Sequence, residues 1–157
     1  MKLEMVISGG QTGADRGGLD AAIRMGMSHG GWCPKGRRAE DGSIPTVYKL
    51  KEHDSSDYPP RTWANVKESD GTVIFTMGPL ERGSELTRFF CDKQKKPWIH
   101  IDLRKVNPTQ SAARLMFFMK ENGVRVLNVA GNRESRSPGI RDLVENAVIG
   151  AVKGAKV

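Results

Sequence analysis

The chain alternates short apolar runs with stretches whose apolar residues recur every three or four positions. The runs are Leu3–Ile7, Trp32–Cys33, Thr72–Phe75, Trp98–Ile101 and Val124–Val129. They are apolar at successive positions, as in strands of a parallel sheet covered on both faces. Between them lie helical stripes: Leu19, Ala22, Ile23 and Met27; Leu86, Phe89 and Phe90 after Ser84; and Ala112, Leu115, Met116 and Met119, ended by Asn122-Gly123. The last stripe, Ile140, Leu143, Val144, Ala147, Val148 and Ala151, follows Ser137-Pro138, an N-cap with proline in the first turn. A shorter helix is expected near Arg61–Glu68, stopped by Ser69-Asp70-Gly71. The alternation predicts an α/β fold in three layers, with a mainly parallel sheet of about five or more strands and helices on both faces. It leaves the strand order open.

One stretch breaks the rhythm. Residues 28–60 carry turn chemistry and little periodicity, and stretches of that kind are uncommon in compact domains and often functional. The expected organisation is one domain over residues 1–157, with a long loop insertion at about 28–60. The 157 residues suit one core. No apolar run approaches the roughly 18 residues of a membrane span. The N-terminus reads as a first strand rather than a leader, so a cytoplasmic location is expected. Cys33 and Cys91 fit a reducing compartment, and the three histidines form no metal-ligand spacing, so no metal ligands are assigned. The net charge of +7 favours an anionic partner. The basic residues form no stripe with aromatics, so nucleic acid is not the expected partner.

Three glycine-bearing loops follow three of the strands: Ser8–Gly13, Met77–Ser84 and Ala130–Gly139. In a parallel sheet every strand-to-helix loop lies at the carboxyl edge, where open α/β folds bind ligands. Each loop ends at a helix N-terminus, where free N–H groups and the helix dipole favour an anion. The candidate binding residues are therefore Gly9, Gly10, Gln11, Thr12, Gly13 and Arg16 in the first loop and helix. Arg82, Gly83 and Ser84 follow from the second loop, and Gly131, Asn132, Arg133, Ser135 and Arg136 from the third. Gly9, Gly10, Thr12 and Gly13 read as a phosphate cradle, and Gly13→Val is expected to cost affinity with the fold intact. Gly17 and Gly18, a turn further on, read as packing positions.

Other residues offer weaker chemistry. Lys35, Arg37 and Arg38 form a basic turn that could close over an anion. Trp32 and Trp63 could stack on a flat ring. Cys33 reads as a buried thiol, and Asp20 and Arg24 as a surface pair one turn apart. Neither G-x-G-x-x-G nor the Walker spacing is present.

The stretches ISGGQTGADRGGLDAA, GWCPKGRRAEDG, RTWANVKESDGTVIF, RGSELT and LNVAGNRESRSPGI resemble the molybdenum cofactor carrier family, from about Val6 to Ala151. That family is similar to a wider Rossmann-like group that includes the lysine decarboxylase-like, cytokinin-activating phosphoribohydrolases. The resemblance implies a Rossmann-like sheet, a dimer or tetramer assembled through helices, and a pocket at the strand carboxyl ends. It implies molybdenum cofactor as the ligand: a pterin with a terminal phosphate and a dithiolene-bound metal. A nucleotide-like anion would make the same demands on the residues. The enzymes of the wider group carry PGGxGTxxE, and the corresponding place here reads GPLERGSELTRFF. Thr87 stands where their catalytic glutamate would be. The reading taken is a binding or carrier protein with no catalytic residue assigned. A nucleoside monophosphate phosphoribohydrolase-like enzyme, with Arg82 and Glu85 or Glu81 at its centre, is the alternative.

Overall fold

The computed structural model describes residues 2–155. In chain order the elements are β1 (Met5–Ile7), α1 (Ala14–Arg24), β2 (Ser28–Gly30), β3 (Trp32–Cys33), β4 (Arg38–Ala39), β5 (Gly42–Ser43) and β6 (Lys51–Glu52). There follow α2 (Tyr58–Glu68), β7 (Gly71–Thr76), α3 (Arg82–Lys93), β8 (Trp98–Asp102), α4 (Pro108–Glu121), β9 (Val126–Gly131) and α5 (Ile140–Ala155). Five strands form one sheet in the order β2-β1-β9-β7-β8, and every pairing in it is parallel. Counted from β9 instead of β1, that order becomes 3-2-1-4-5, the strand order of the Rossmann fold. The chain is thus a Rossmann-like sheet whose first strand comes last in sequence.

The inner strand β7, between β9 and β8, is buried at every position, which is why its sequence, GTVIFT, does not alternate. One helical layer contains α1, α5 and α4, with α5 packed between the other two. Beneath it lies the main core, including Val6, Val73, Phe75, Leu115, Leu127, Val129, Val144 and Val148. Val144 and Val148 of α5 are fully buried, and each contributes about 1.5–3 kcal/mol of transfer free energy. Helices α2 and α3 pack on each other and on the sheet as the second layer.

Three helical stripes differ from their expected faces. Helix α1 ends at Arg24, short of Met27, and leaves Ile23 exposed. Helix α3 buries Ser84, Thr87 and Cys91 and leaves Phe89 exposed. The helix contacts β7 and β9, whose buried residues include the polar Thr72, Thr76 and Asn128, so small polar residues meet small polar residues there. Helix α4 turns Phe118 inward with Leu115 and Met119.

The stretch 28–60 is not uniformly loop. Ser28–Gly30 is the edge strand of the main sheet, whereas the sequence pattern put a strand of that sheet at Trp32–Cys33. Trp32–Cys33 pairs instead with Lys51–Glu52, and Arg38–Ala39 with Gly42–Ser43. Leu19 of α1 forms a second small core with Cys33, Ala39, Ile44 and Tyr48 of this stretch. No helix among the described residues is long and apolar enough to cross a membrane.

Candidate functional site

The parallel sheet brings the loops after β1, β7 and β9 to one edge, with β9 between β1 and β7. In the Rossmann count the strand order reverses between β9 and β7, and ligands bind at such a switch point. The β9–α5 and β7–α3 loops touch there, through an ion pair of Arg136 with Glu81.

The β1–α1 loop is filled by the protein itself. A Cβ on Gly9 would overlap the guanidinium of Arg61, which lies on the loop. A Cβ on Gly10 would come within 2.6 Å of Leu50, from the 28–60 stretch. Gly13 has φ of 82°, and its Cβ would run into backbone of the β9–α5 loop at Asn132 and Glu134. The packing role read for the next two glycines has physical neighbours: Val144 of α5 against Gly17 and Val129 of β9 against Gly18, at 2.9 and 2.7 Å from the added Cβ.

The side chains of this loop are also engaged. Gln11 Oε1 accepts from the Thr12 and Glu40 amides at 3.1 and 2.9 Å. Thr12 donates its hydroxyl to Glu40 and accepts the Glu134 amide, so it does not cap α1. Glu40 also accepts from the Ser135 hydroxyl at 2.6 Å. Burial works to raise the Glu40 pKa, but the hydrogen bonds from Ser135 and Thr12 and the charge of Arg133 bring it below the usual glutamate value of 4.5. Arg16 is buried, bonded to the Gly10 carbonyl and bidentate on Asp41 at 2.6 and 2.9 Å. Asp15 sits under the loop, accepting the Gln11 amide at 3.1 Å and facing Arg61 Nη1 at 3.5 Å. Burial pushes the Asp15 carboxyl above its usual range despite Arg61.

The third loop closes its own helix. Glu134 accepts the amides of Gly139 and Arg141 at 2.6 and 3.1 Å and so occupies donors at the start of α5. Asn132 donates to the Ser137 hydroxyl at 2.8 Å, and a Cβ on Gly131 would overlap the Phe75 carbonyl. The start of α3 is closed by a reciprocal capping box of Glu81 and Ser84, and only the Gly83 side of its first turn is open. A Cβ on Gly83 would meet nothing within 4 Å. Ser84 has its hydroxyl bonded to both the amide and the carbonyl of Glu81, at 2.8 and 2.7 Å. Arg82 has φ of 27°, an uncommon value for a residue with a side chain.

One constellation was not legible in the sequence. The guanidinium carbons of Arg38, Arg133 and Arg61 lie 4.8, 5.0 and 5.5 Å from the centre of a single ring, that of Tyr58. Arg38 and Arg133 form no ion pair among the described residues, and Arg61 faces only Asp15. Like charges gathered around one ring repel one another. Arg61 and Tyr58 both stand in the first turn of α2, and nothing in YPPR announces a partner more than 70 residues further on.

The other candidates fall elsewhere. Arg37 donates to the carbonyls of Ile44, Pro45 and Tyr48 and so holds the turn together. Cys33 is buried, which raises its pKa and keeps it a thiol. Asp20 and Arg24 do not pair: Asp20 binds Tyr48 and Arg141 at 2.6 and 2.7 Å, and Arg24 reaches Glu145. Trp32 lines a shallow cleft with His53, Asp54, Ala64, Lys67 and Glu68, none of them in the three loops. Among the described residues no group of His, Cys, Asp and Glu could hold a metal ion.

Residues 6–151 match the family described as circularly permutated YpsA SLOG. The chain belongs to that family. The description agrees with a Rossmann order that is recovered only by starting at β9. A crystal structure of a putative molybdenum carrier protein from Syntrophus aciditrophicus SB is 44% identical, with a TM-score of 0.90 over 93% of this chain and 92% of that one. No curated protein matches the chain.

Proposed function

We propose that the protein binds and carries a phosphorylated, flat anion of the molybdenum cofactor class at the carboxyl edge of its sheet. The observation that carries the reading is the open side of the first turn of α3 at Gly83, beside the β9–α5 loop at the strand-order reversal. Helix N-termini favour phosphate, and a position without a Cβ lets it approach. The name of the Syntrophus protein supports a molybdenum-related cargo. The residues fit the phosphate end of such a cargo. With Cys33 buried as a thiol, the metal would keep the sulfur ligands its own pterin supplies.

A carrier role is also supported by the carboxylates of the α3 region. Glu81 is paired with Arg136, and Glu85 with Arg88 at 3.3 Å, so neither stands free as an acid or base. In this reading the protein works in the cytoplasm as a dimer or tetramer. An exposed aromatic face supports self-association: Trp63 and Phe89 are 42% and 46% exposed, and both rings lie against Phe90. The test is mass spectrometry with metal analysis on gently purified protein. A co-purifying phosphorylated pterin with molybdenum is expected. Protein that retains no pterin and binds nucleoside monophosphates instead would overturn the reading.

A further inference from the structure

We infer that Arg38, Arg61 and Arg133, gathered on the ring of Tyr58, form a subsite for a tetrahedral oxyanion. The inference deepens the proposed function by naming where a compact dianionic group is gripped, though it stands on the geometry of these residues and not on the identity of the whole ligand.

The three guanidiniums share one ring, so no two can lie farther apart than about twice their distance from its centre. They come from three unrelated places: strand β4, the first turn of α2, and the β9–α5 loop. Elsewhere the protein neutralises its converging arginines. Arg16 has Asp41, Arg136 has Glu81, and Arg141 has Asp20. Arg38 and Arg133 have no such partner among the described residues. The ring holds each cation in place without cancelling its charge.

The buried donors beside this cluster point the same way. Arg61 Nε and Gln11 Nε2 are buried and have no acceptor among the described residues. Gln11 is 5% exposed, and its backbone N–H donates to the Asp15 carboxylate that faces Arg61. Buried donors are almost always satisfied, so unpaired ones call for a ligand or water. Gly9 completes the arrangement, because only a residue without a Cβ leaves Arg61 its place on the loop. Arginine forks suit phosphate and other tetrahedral oxyanions. The shared chemistry has two sources, the phosphate ester of the proposed cargo and a free tetrahedral metal oxyanion such as molybdate.

Isothermal titration of the full chain with inorganic phosphate, and in parallel with molybdate, against chloride at matched ionic strength tests the assignment. Saturable binding is expected with a Kd on the order of 1 mM or below for at least one oxyanion. Arg38→Ala and Arg133→Ala, both on exposed residues, should each weaken it about tenfold or more. Arg125→Ala, whose guanidinium is paired with Glu4, should leave it unchanged. Phosphate binding alone assigns the subsite to an ester, molybdate binding alone to a metal oxyanion, and binding of both to the tetrahedral dianion in general. Binding of neither, or binding that Arg38→Ala and Arg133→Ala leave intact, overturns the inference. If a pterin co-purifies with both variants undiminished, the carrier reading survives and this subsite falls. If oxyanions bind and no pterin is found, the reverse holds.

Discussion

The β1–α1 and β7–α3 loops look alike in sequence and behave as opposites in the fold. Each joins a buried parallel strand to a helix through glycines. In the first, the space a side chain would take is held by protein: Arg61 over Gly9, Leu50 over Gly10, and the backbone of residues 132–134 against Gly13. In the second, Gly83 borders open space. A glycine thus marks a close approach without saying what approaches. The first loop uses its bare backbone to seat neighbouring segments and one arginine, and the second leaves it to the surroundings.

Gly13→Val should break this contrast most severely. Valine is β-branched and would be forced to φ near 82°, with its Cβ in the backbone of Asn132. Strain and overlap together should cost about 3 kcal/mol or more, lowering the melting temperature by roughly 6–12 °C. The outcome expected from the sequence, lost affinity with the fold intact, changes once the neighbours are known. A melting temperature within 2–3 °C of the parent's would mean that this loop is looser than its contacts require.

What could be read from the sequence follows the same division. Strands β1, β7, β8 and β9 of the main sheet and helices α4 and α5 were legible because burial leaves an apolar pattern, and that pattern survives in one chain. Ser28–Gly30 was not, because an edge strand pairs through its backbone and SHG carries no apolar signal. The buried face of α3 was missed because Ser84, Thr87 and Cys91 meet a sheet face that includes polar residues, while the aromatic stripe points away. Convergence of the three loops was legible from parallel order alone. Their occupants were not. Arg61 reaches Gly9 across 52 positions of sequence, and Glu134 fills the start of α5 from inside its own loop. Neither contact leaves a periodic trace, and a glycine, an arginine and a glutamate each suit many roles.

A middle-sized effect should come from Glu40, the clasp between the filled loop and the 28–60 stretch. It accepts from the Thr12 hydroxyl and from the amide and hydroxyl of Ser135. Glu40→Ala removes these bonds at a partly exposed position and should cost about 1 kcal/mol near neutral pH. The sign of its pH dependence is fixed. The folded-state pKa lies below the ordinary 4.5, so the stabilisation is present above that pH and disappears as pH falls through the folded value. The gap in melting temperature between parent and Glu40→Ala should therefore narrow on acidification from about pH 6 to pH 3. A gap that stays constant would show that the carboxylate charge contributes nothing to the clasp.

The smallest effect on stability should come from Gly83→Ala, and its smallness is the point. The added methyl meets nothing within 4 Å, and the position lies in the first turn of α3, where alanine is the better helix former. Stability should stay within about 0.5 kcal/mol of the parent, or rise slightly. Affinity for a phosphate-bearing ligand should fall nonetheless, because the methyl occupies the approach to the helix N-terminus. Chemical denaturation measures the first quantity and titration with the co-purified ligand the second. The two loops would then differ in kind: substitution costs folding where protein fills the space, and binding where it does not. Loss of stability at Gly83 without loss of affinity would erase that difference and return both loops to a purely structural role.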